Sequence, residues 1–546
     1  MRDGTVLKAT VYRPEGPGPW PTLLARTPYG KDLPGAISWL DPIRATREGF
    51  MVVIQDTRGR FASDGNWMPF QYETQDGYDT VQWAAQLPGS NGRVGMFGLS
   101  YWGNTQWLAA IAQPPSLGAI APALTWSDPD DGAFTRGGAL ELAVGLVWAL
   151  EQGLDYVARQ VAPAEEISRR VHDLIQELDH LAERGFWELP VFDSALLRRH
   201  RVPDLGSIAA LSDPTVADRC RIAGRHDQVQ VPVLNIGGWH DGFLQGVLDN
   251  HIALQSLGRD SRLIIGPWSH ANFSETIGDL YFGLNARKDG GPAPAAGPGK
   301  DITALQLDWF RRRLTSDARS PEPQPVRIFV TGSNRWREYQ CWPPQGTVEQ
   351  RWYLHSGRRL SPAGPEDLDA VDQFIYDPAN PVPTAGGQTL DSPLCPAGPV
   401  DQRSVEARPD VVVFTSQPLA SDLEVTGRVR VMLHADSSAR STDWVARLCD
   451  VHPDGGSFSL CDGILRVADD ARQPRRYEID LWSISHVFGR GHRLRVDVTS
   501  SSFPRWDRNL NTGNQKMTLH TPARQRIHHD ASHPSWLQLQ LRGHEA

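Results

Sequence analysis

The stretch from Arg93 to Gly103 constrains the fold of this chain more than any other. Its apolar run through Val94 and Phe97 predicts a buried strand, and residues 102–112 predict a helix with one apolar face. Ser100 lies at the sharp turn between the two elements. A serine on such a turn is raised above the edge of a sheet, where it faces the free N–H groups of the helix that follows. The stretch predicts a nucleophilic serine, although an ordinary helix N-cap serine gives a similar pattern.

Strands alternate with helices on both sides of this stretch. Strands are predicted at 5–12, 22–26, 50–55, 117–124, 231–239, 262–268 and 326–331, and helices at 76–85, 244–257 and 301–314. Such alternation predicts a mostly parallel sheet with helices on both faces. The functional groups of such sheets collect at the carboxyl ends of the strands, which is the side where Ser100 lies.

Two long segments depart from this alternation. From residue 137 to about residue 200 the apolar spacing is helical, which predicts a helical cap inserted into the sheet domain. After about residue 351, short alternating runs separated by turn residues predict an all-β domain, either a sandwich or a jelly roll. A loop rich in Gly, Pro and Ala is expected over 290–299.

Composition excludes several functional classes. The net charge of −9 argues against a general nucleic-acid binder, and no apolar run approaches the length of a membrane span. The N-terminus carries no signal-peptide pattern. The five cysteines are scattered and never form a C-x-x-C pair, which argues against a zinc motif and a disulfide framework. The cysteine pattern therefore predicts a protein of the reducing cytoplasm.

Two further strand ends supply the partners that a nucleophilic serine needs. A serine hydroxyl requires a base, usually a histidine, and a carboxylate that orients the imidazole. Asp241 follows the strand predicted over 231–239, and His270 follows the next predicted strand. The order Ser, Asp, His is that of α/β-hydrolases. Two alternatives remain open, because Asp241 could cap the following helix and His240 could be the base.

Several stretches carry a resemblance to a known family. They are NGRVGMFGLSYWG at 91–103, VVIQDTRG at 52–59, GWHDGF at 238–243, GPWSH at 266–270, GPVDQR at 398–403 and SSSFPRWDRN at 500–509. The chain thereby resembles the cocaine esterase-like (CocE/NonD) hydrolase and X-Pro dipeptidyl-peptidase family, which also contains α-amino-acid ester hydrolases and glutaryl-cephalosporin acylases. In this family the second glycine of the serine motif stands at the later position, as Gly103 does here.

The resemblance implies a fold and a set of site residues. It implies an α/β-hydrolase catalytic domain over 1–127 and 224–345, a helical cap over 128–223 and a C-terminal jelly-roll domain over 346–546. It places the nucleophile on Ser100, the orienting acid on Asp241 and the base on His270. An oxyanion hole is implied from the backbone N–H of Tyr101 and the hydroxyl of Tyr29. The reaction implied is acyl transfer through an acyl-enzyme, which needs no cofactor.

The substrate is expected to be a small-molecule carboxylic ester, or an amide, with an apolar or aromatic acyl group. Trp148, Phe243 and Leu390 are expected to line the acyl pocket, although Trp148 could equally belong to a helix core. In the family's α-amino-acid ester hydrolases, acidic residues that hold the substrate ammonium follow the catalytic aspartate. Here residues 242–244 are Gly, Phe and Leu, which disfavours an X-prolyl peptidase or an α-amino-acid ester hydrolase.

Three further alternatives stay open. Asp128, Asp130 and Asp131 could substitute for the missing acidic pair. Asp391 stands beside Leu390 where the bacterial cocaine esterase is apolar, so cocaine itself is not the expected substrate. A non-catalytic carbohydrate-binding protein is a remote alternative, and an extensive β domain could support a homodimer.

Overall fold

The N-terminal part of the chain is built on a nine-stranded sheet. The structure, a computed structural model, describes residues 1–290, 301–315, 317, 322–513 and 518–543. The first strands within these residues are β1 (Ala9–Tyr12), β2 (Trp20–Thr27), β3 (Met51–Asp56), β4 (Ser90–Leu99), β5 (Leu117–Ala123), β6 (Thr135–Arg136), β7 (Ala139–Leu140), β8 (Val233–Gly238), β9 (Ser261–Gly266), β10 (Thr276–Ile277), β11 (Leu280–Tyr281), β12 (Val326–Val330) and β13 (Arg335–Tyr339).

The sheet has the strand order β1-β3-β2-β4-β5-β8-β9-β12-β13. The strands from β3 to β12 pair in parallel, and the two edge strands pair antiparallel with their neighbours. This is the mostly parallel sheet that the sequence predicts. Because the strands are parallel, the ends of β2, β4, β8 and β9 all reach the same edge.

Helices cover both faces of this sheet. Within the described residues the helices of the whole chain are α1 (Gly35–Ser38), α2 (Pro42–Arg47), α3 (Glu73–Ala85), α4 (Tyr101–Ile111), α5 (Leu142–Ala158), α6 (Ala164–Asp179), α7 (Ala195–His200), α8 (Ser207–Ala210), α9 (Leu244–Ser256), α10 (Ile302–Leu314) and α11 (Arg403–Glu406). Of these, α5 to α8 belong to the segment between β5 and β8, and α11 belongs to the C-terminal part. Successive side chains of a strand point to opposite faces. Leu23 of β2 packs in one cluster with Phe310 of α10, and Leu24 packs in another with Trp107 of α4.

The segment between β5 and β8 is mainly helical. It contains α5 to α8, the small hairpin of β6 and β7, and short 3-10 turns at Gly185–Trp187, Val191–Asp193 and Pro214–Arg219. Leu146 of α5, Leu174 of α6 and Leu196 of α7 belong to one buried cluster. Among the described residues, no helix is long and apolar enough to cross a membrane.

The C-terminal part is a second, all-β sheet system. Its strands are β14 (Thr347–His355), β15 (Arg359–Ser361), β16 (Val371–Tyr376), β17 (Val412–Ser416), β18 (Leu423–Ser437), β19 (Thr442–Val451), β20 (Ser457–Val467), β21 (Arg475–Phe488), β22 (Arg493–Thr499), β23 (Ala523–His528) and β24 (Trp536–Arg542). Their alternating side chains form one large core that includes Leu433, Trp444 and Val496.

The predicted fold class is confirmed, because an α/β part with a mostly parallel sheet precedes an all-β part. The expected boundary at 345/346 falls between β13 and β14, and the expected helical segment 128–223 falls between β5 and β8. We therefore propose the domain bounds 1–127 with 224–345, 128–223 and 346–546. Most of the loop expected over 290–299 lies outside the described residues.

Candidate active site

The turn at Ser100 has a strained backbone. Ser100 has φ 59° and ψ −128°, between the end of β4 and the start of α4, a conformation that a side chain rarely adopts. Gly98 has φ 139°, and a Cβ there would lie 2.8 Å from the ring of Trp102. Gly103 lets α4 approach β5, because its Cβ would lie 2.8 Å from the Ala123 carbonyl oxygen. The turn therefore needs both glycines, and Trp102, unexplained by the sequence, packs across Gly98.

Tyr101 presents its backbone and its side chain to different surroundings. As the first residue of α4, it has an N–H with no acceptor inside the helix. Its hydroxyl donates to Glu73 Oε1 at 3.0 Å and accepts from the Phe70 N–H at 2.9 Å. Glu73 pairs with Arg26 at 2.8 Å, and burial raises the pKa of both Glu73 and Tyr101. The phenol thus anchors the start of the helix, and within the described residues the Tyr101 N–H has no hydrogen-bond acceptor.

Asp241 and His270 are joined by a hydrogen bond. The ends of β8 and β9 run side by side, with the Trp239 N–H donating to the Gly266 carbonyl at 2.9 Å. His270 Nδ1 lies 2.8 Å from Asp241 Oδ1. The Asp241 side chain is fully buried and that of His270 is 13% exposed. Because an ionised carboxylate only accepts, the proton of a neutral His270 lies on Nδ1, and Nε2 is left to accept a proton.

The alternatives left open for these two residues are not favoured by the geometry. Helix α9 begins after Phe243 without any side-chain cap, so Asp241 does not cap it. The ring of His240 stacks on Phe282 and lines a different cavity. Burial lowers the pKa of His240 to about 3. His240 is therefore turned away from the Ser100 site.

Tyr29 lies against Ser100 just after β2. Its hydroxyl accepts a hydrogen bond from Trp148 Nε1 at 3.2 Å, and Tyr29 and Ser100 line the same cavity. Loss of hydration in the cavity wall raises the pKa of Tyr29 above 10.0. The phenol is therefore neutral near pH 7 and keeps its proton as a hydrogen-bond donor. Trp148 reaches this position from α5, and its ring stacks on Tyr101 at 6.3 Å.

A cavity of about 480 Å³ connects these groups. It is lined by five of the predicted site residues, which are Tyr29, Ser100, Trp148, His270 and Leu390. This volume is typical of a pocket for a small molecule. Phe243, predicted to line the pocket, lies behind His270 instead. Its ring is taken up by edge-on contacts with His270 at 5.3 Å and Trp126 at 5.0 Å.

Three carboxylates also line this cavity, and they differ in their partners. Glu141 accepts from Trp506 Nε1 at 2.8 Å, and Asp391 accepts from Ser269 Oγ at 2.5 Å. Within the described residues, Glu151 has no hydrogen-bond or ion-pair partner, and loss of hydration raises its pKa. Glu151 was not predicted from the sequence, because acidic residues that could hold a substrate ammonium were expected after Asp241 or in the 128–131 loop. The available signal was the position of Glu151, one helical turn after Trp148 on α5.

The acidic loop that was an alternative cation site lies elsewhere. Asp128 and Asp130 both pair with Arg221, the second at 2.7 Å. Asp131 accepts from Trp482 Nε1 at 3.1 Å. All three carboxylates have protein partners, and none of them is among the residues that line the cavity.

A segment of the C-terminal part, residues 388–391, holds both candidate catalytic loops. Thr389 forms a β-bridge with Asp241, and its carbonyl accepts from the Gly242 N–H at 3.1 Å. The Ser269–Asp391 hydrogen bond fixes the residue that precedes His270. The all-β part is therefore integral to the site, a connection that the sequence pattern did not reveal.

Matches to known protein families and relatives cover nearly the whole chain. The family model for X-Pro dipeptidyl-peptidase (S15 family) matches residues 3–272. The model for the X-Pro dipeptidyl-peptidase C-terminal non-catalytic domain matches residues 321–538. The cocaine esterase of Rhodococcus sp. (strain MB1 Bresler) is 34% identical over 99% of this chain and 97% of its own. A putative serine esterase of Mycobacterium bovis is 24% identical over 92% of this chain and 89% of its own.

Solved structures show the same fold at lower identity. An aminopeptidase from a marine sediment Thaumarchaeota archaeon superposes with a TM-score of 0.80 at 24% identity, over 100% of this chain and 95% of that one. An α-amino acid ester hydrolase superposes with a TM-score of 0.77 at 24% identity, over 99% and 95%. These two likenesses support the fold and do not by themselves decide the substrate.

Proposed function

The chain belongs to the X-Pro dipeptidyl-peptidase (S15) family, and from this premise we propose that it is a serine ester hydrolase with Ser100 as nucleophile, His270 as base and Asp241 as orienting acid. The observation that carries the assignment is the 2.8 Å hydrogen bond between Asp241 and His270 at the cavity that Ser100 also lines. The strained backbone of Ser100 supports it, because such strain is typical of a nucleophile turn.

The mechanism is acyl transfer in two halves. His270 Nε2 takes the proton of Ser100 as the hydroxyl attacks the ester carbonyl, and Asp241 stabilises the imidazolium that forms. The Tyr101 N–H and the Tyr29 hydroxyl donate to the oxyanion. His270 then protonates the leaving alcohol, which departs and leaves an acyl-enzyme on Ser100. Water, deprotonated by His270, releases the acid and restores Ser100.

The substrate proposed is a carboxylic ester with an apolar or aromatic acyl group. Val144, Val147, Trp148 and Leu390 give the cavity an apolar wall. An amide substrate is the alternative within the same mechanism, because only the leaving group changes. The identity with cocaine esterase supports ester chemistry and does not name the ester.

A second candidate is a substrate that carries a cationic amino group. The observation that favours it is Glu151, the cavity carboxylate without a protein partner among the described residues. A carboxylate on a partly desolvated wall attracts an ammonium group, and the attraction is lost when the charge is removed. Amino-acid esters and X-Pro anilides belong to this class.

Two experiments test the proposal. Ser100→Ala should abolish hydrolysis of an aryl ester by the purified protein, and undiminished hydrolysis would show that Ser100 is not the nucleophile.

A panel of aryl acetates, aryl benzoates, amino-acid esters and X-Pro anilides should then be ranked by kcat/KM. We expect the aryl esters to lead in both wild type and Glu151→Gln. A preference for amines that is lost specifically in Glu151→Gln would establish the second candidate instead.

Two expectations about the whole protein are part of the proposal. We expect a cytoplasmic location, where disulfides are rare, and the five cysteines are free.

The extensive β domain could also support a homodimer. Light scattering after size-exclusion chromatography should give twice the chain mass of 60.5 kDa, and a single-chain mass would exclude the dimer.

A further inference from the structure

A second cavity, of about 280 Å³, lies on the far side of the loop that carries Asp241. Asp450 near the end of β19, His452 just after it and His492 before β22 line this cavity. One ligand atom from each of the three lies within 4.8 Å of the others. His240, the neighbour of Asp241, and Thr331, just after β12, line it from the catalytic part.

The three side chains converge at the spacing of ligands around one ion. Asp450 Oδ1 lies 2.9 Å from His492 Nδ1, and Asp450 Oδ2 lies 3.5 Å from His452 Nε2. The two imidazole centroids are 4.5 Å apart. Ligand atoms that each lie about 2.0–2.1 Å from a zinc ion are separated from one another by roughly 3–3.5 Å. The two distances from the Asp450 carboxylate are close to this spacing, and all three ligand atoms lie within 4.8 Å of one another.

A second layer of hydrogen bonds orients the carboxylate. His486 Nε2 lies 3.1 Å from Asp450 Oδ2, and His486 Nδ1 lies 2.9 Å from Thr331 Oγ1. Ligating carboxylates are usually held by such outer hydrogen bonds.

His240 gives an independent indication of a polar occupant. Its side chain is only 4% exposed, and within the described residues its Nε2 has no hydrogen-bond partner. A buried polar nitrogen without a hydrogen-bond partner is unfavourable. A polar occupant of the cavity, such as a water molecule bound to an ion, would supply the missing partner.

We propose that Asp450, His452 and His492 bind a divalent transition-metal ion of the zinc class, with a remaining position open to the cavity. Imidazole and carboxylate ligands suit Zn²⁺, Co²⁺ and Ni²⁺. The ion would be structural, joining the ends of β19 and the β21–β22 connection beside the catalytic part. The sequence predicts no metal because these ligands are not grouped in a motif.

The test measures zinc bound by the full-length protein after treatment with a chelator, readdition of Zn²⁺ and removal of the excess. We expect about one Zn²⁺ per chain by mass spectrometry of the metal, and a visible Co²⁺ absorption band after loading with Co²⁺. The double variant His452→Ala/His492→Ala should lose both signals. His486→Gln should keep the ion but bind it about 10–100-fold more weakly, as expected for an outer hydrogen-bond partner.

The matched control is His533→Ala, which removes another histidine that pairs with an aspartate in the same part of the chain. It should bind zinc as the wild type does. Circular dichroism in chelator checks that every variant is folded. Zinc binding that is absent from the folded wild type, or equal in the double variant, would overturn the proposal. Ester hydrolysis does not enter this test, so its result is independent of the proposed function.

Discussion

Tyr29→Phe removes one oxygen atom from the candidate oxyanion hole and leaves the ring in place. The hydroxyl accepts a hydrogen bond from Trp148 Nε1 at 3.2 Å and lies at the cavity that Ser100 also lines. If it donates to the oxyanion, it acts in the transition state more than in the ground state. The substitution should then lower kcat and change KM little.

The magnitude follows from the loss of one donor. Loss of a single oxyanion-hole donor costs about 10²–10³ in kcat, which is about 2.7–4 kcal/mol. The backbone N–H of Tyr101 remains, so hydrolysis should be slow and still measurable. Because the substitution leaves the indole N–H of Trp148 unpaired, the free energy of unfolding should fall by about 1 kcal/mol.

The assay compares kcat and KM of the wild type and Tyr29→Phe with one aryl ester. Trp148→Phe is the matched control, because it removes the indole partner of the Tyr29 hydroxyl and keeps the hydroxyl itself. Its kcat should fall much less. A kcat within threefold of the wild type in a folded Tyr29→Phe variant would refute the role of the phenol.

Two further predictions concern the surroundings of the base and the phenol. Asp391→Ala removes the acceptor that fixes Ser269 beside His270. The loss should displace the imidazole of His270 and lower kcat/KM about 10- to 100-fold. An unchanged kcat/KM would show that the 388–391 segment does not position the base. Because burial raises the pKa of Tyr29 above 10.0, its phenol keeps its proton in mild alkali, and kcat/KM should stay level from about pH 8 to about pH 9.5. A decline in this range that Tyr29→Phe lacks would contradict that expectation.

Much of the site could be predicted because its parts lie at strand ends. The apolar run before Ser100 defines one parallel strand, and Asp241 and His270 each follow another. In a parallel sheet these ends reach one edge, so sequence order alone places the residues near one another. Tyr29 was a different case, since only the family resemblance distinguished it from an ordinary turn tyrosine.

The rest depended on contacts between parts that are distant in sequence. Asp391 reaches Ser269 from a segment of the C-terminal part, and no local pattern encodes that pairing. Glu151 lies on a helix whose rotation about its axis decides what faces the cavity. Phe243 lies two residues after Asp241, and the turn at the start of α9 places its ring behind His270. The spacing of apolar residues predicts which face of an element is buried, but it does not determine where these three side chains point.

Covalent labelling of Ser100 tests the central claim most directly. The wild-type protein is treated with an aryl fluorophosphonate, which reacts with activated serine hydroxyls, and the digested protein is mapped by mass spectrometry. We predict one label per chain, on the peptide that contains Ser100, with no label on Ser100→Ala and slow labelling of His270→Gln. A label on a different serine, or equal labelling of Ser100→Ala, would contradict the account.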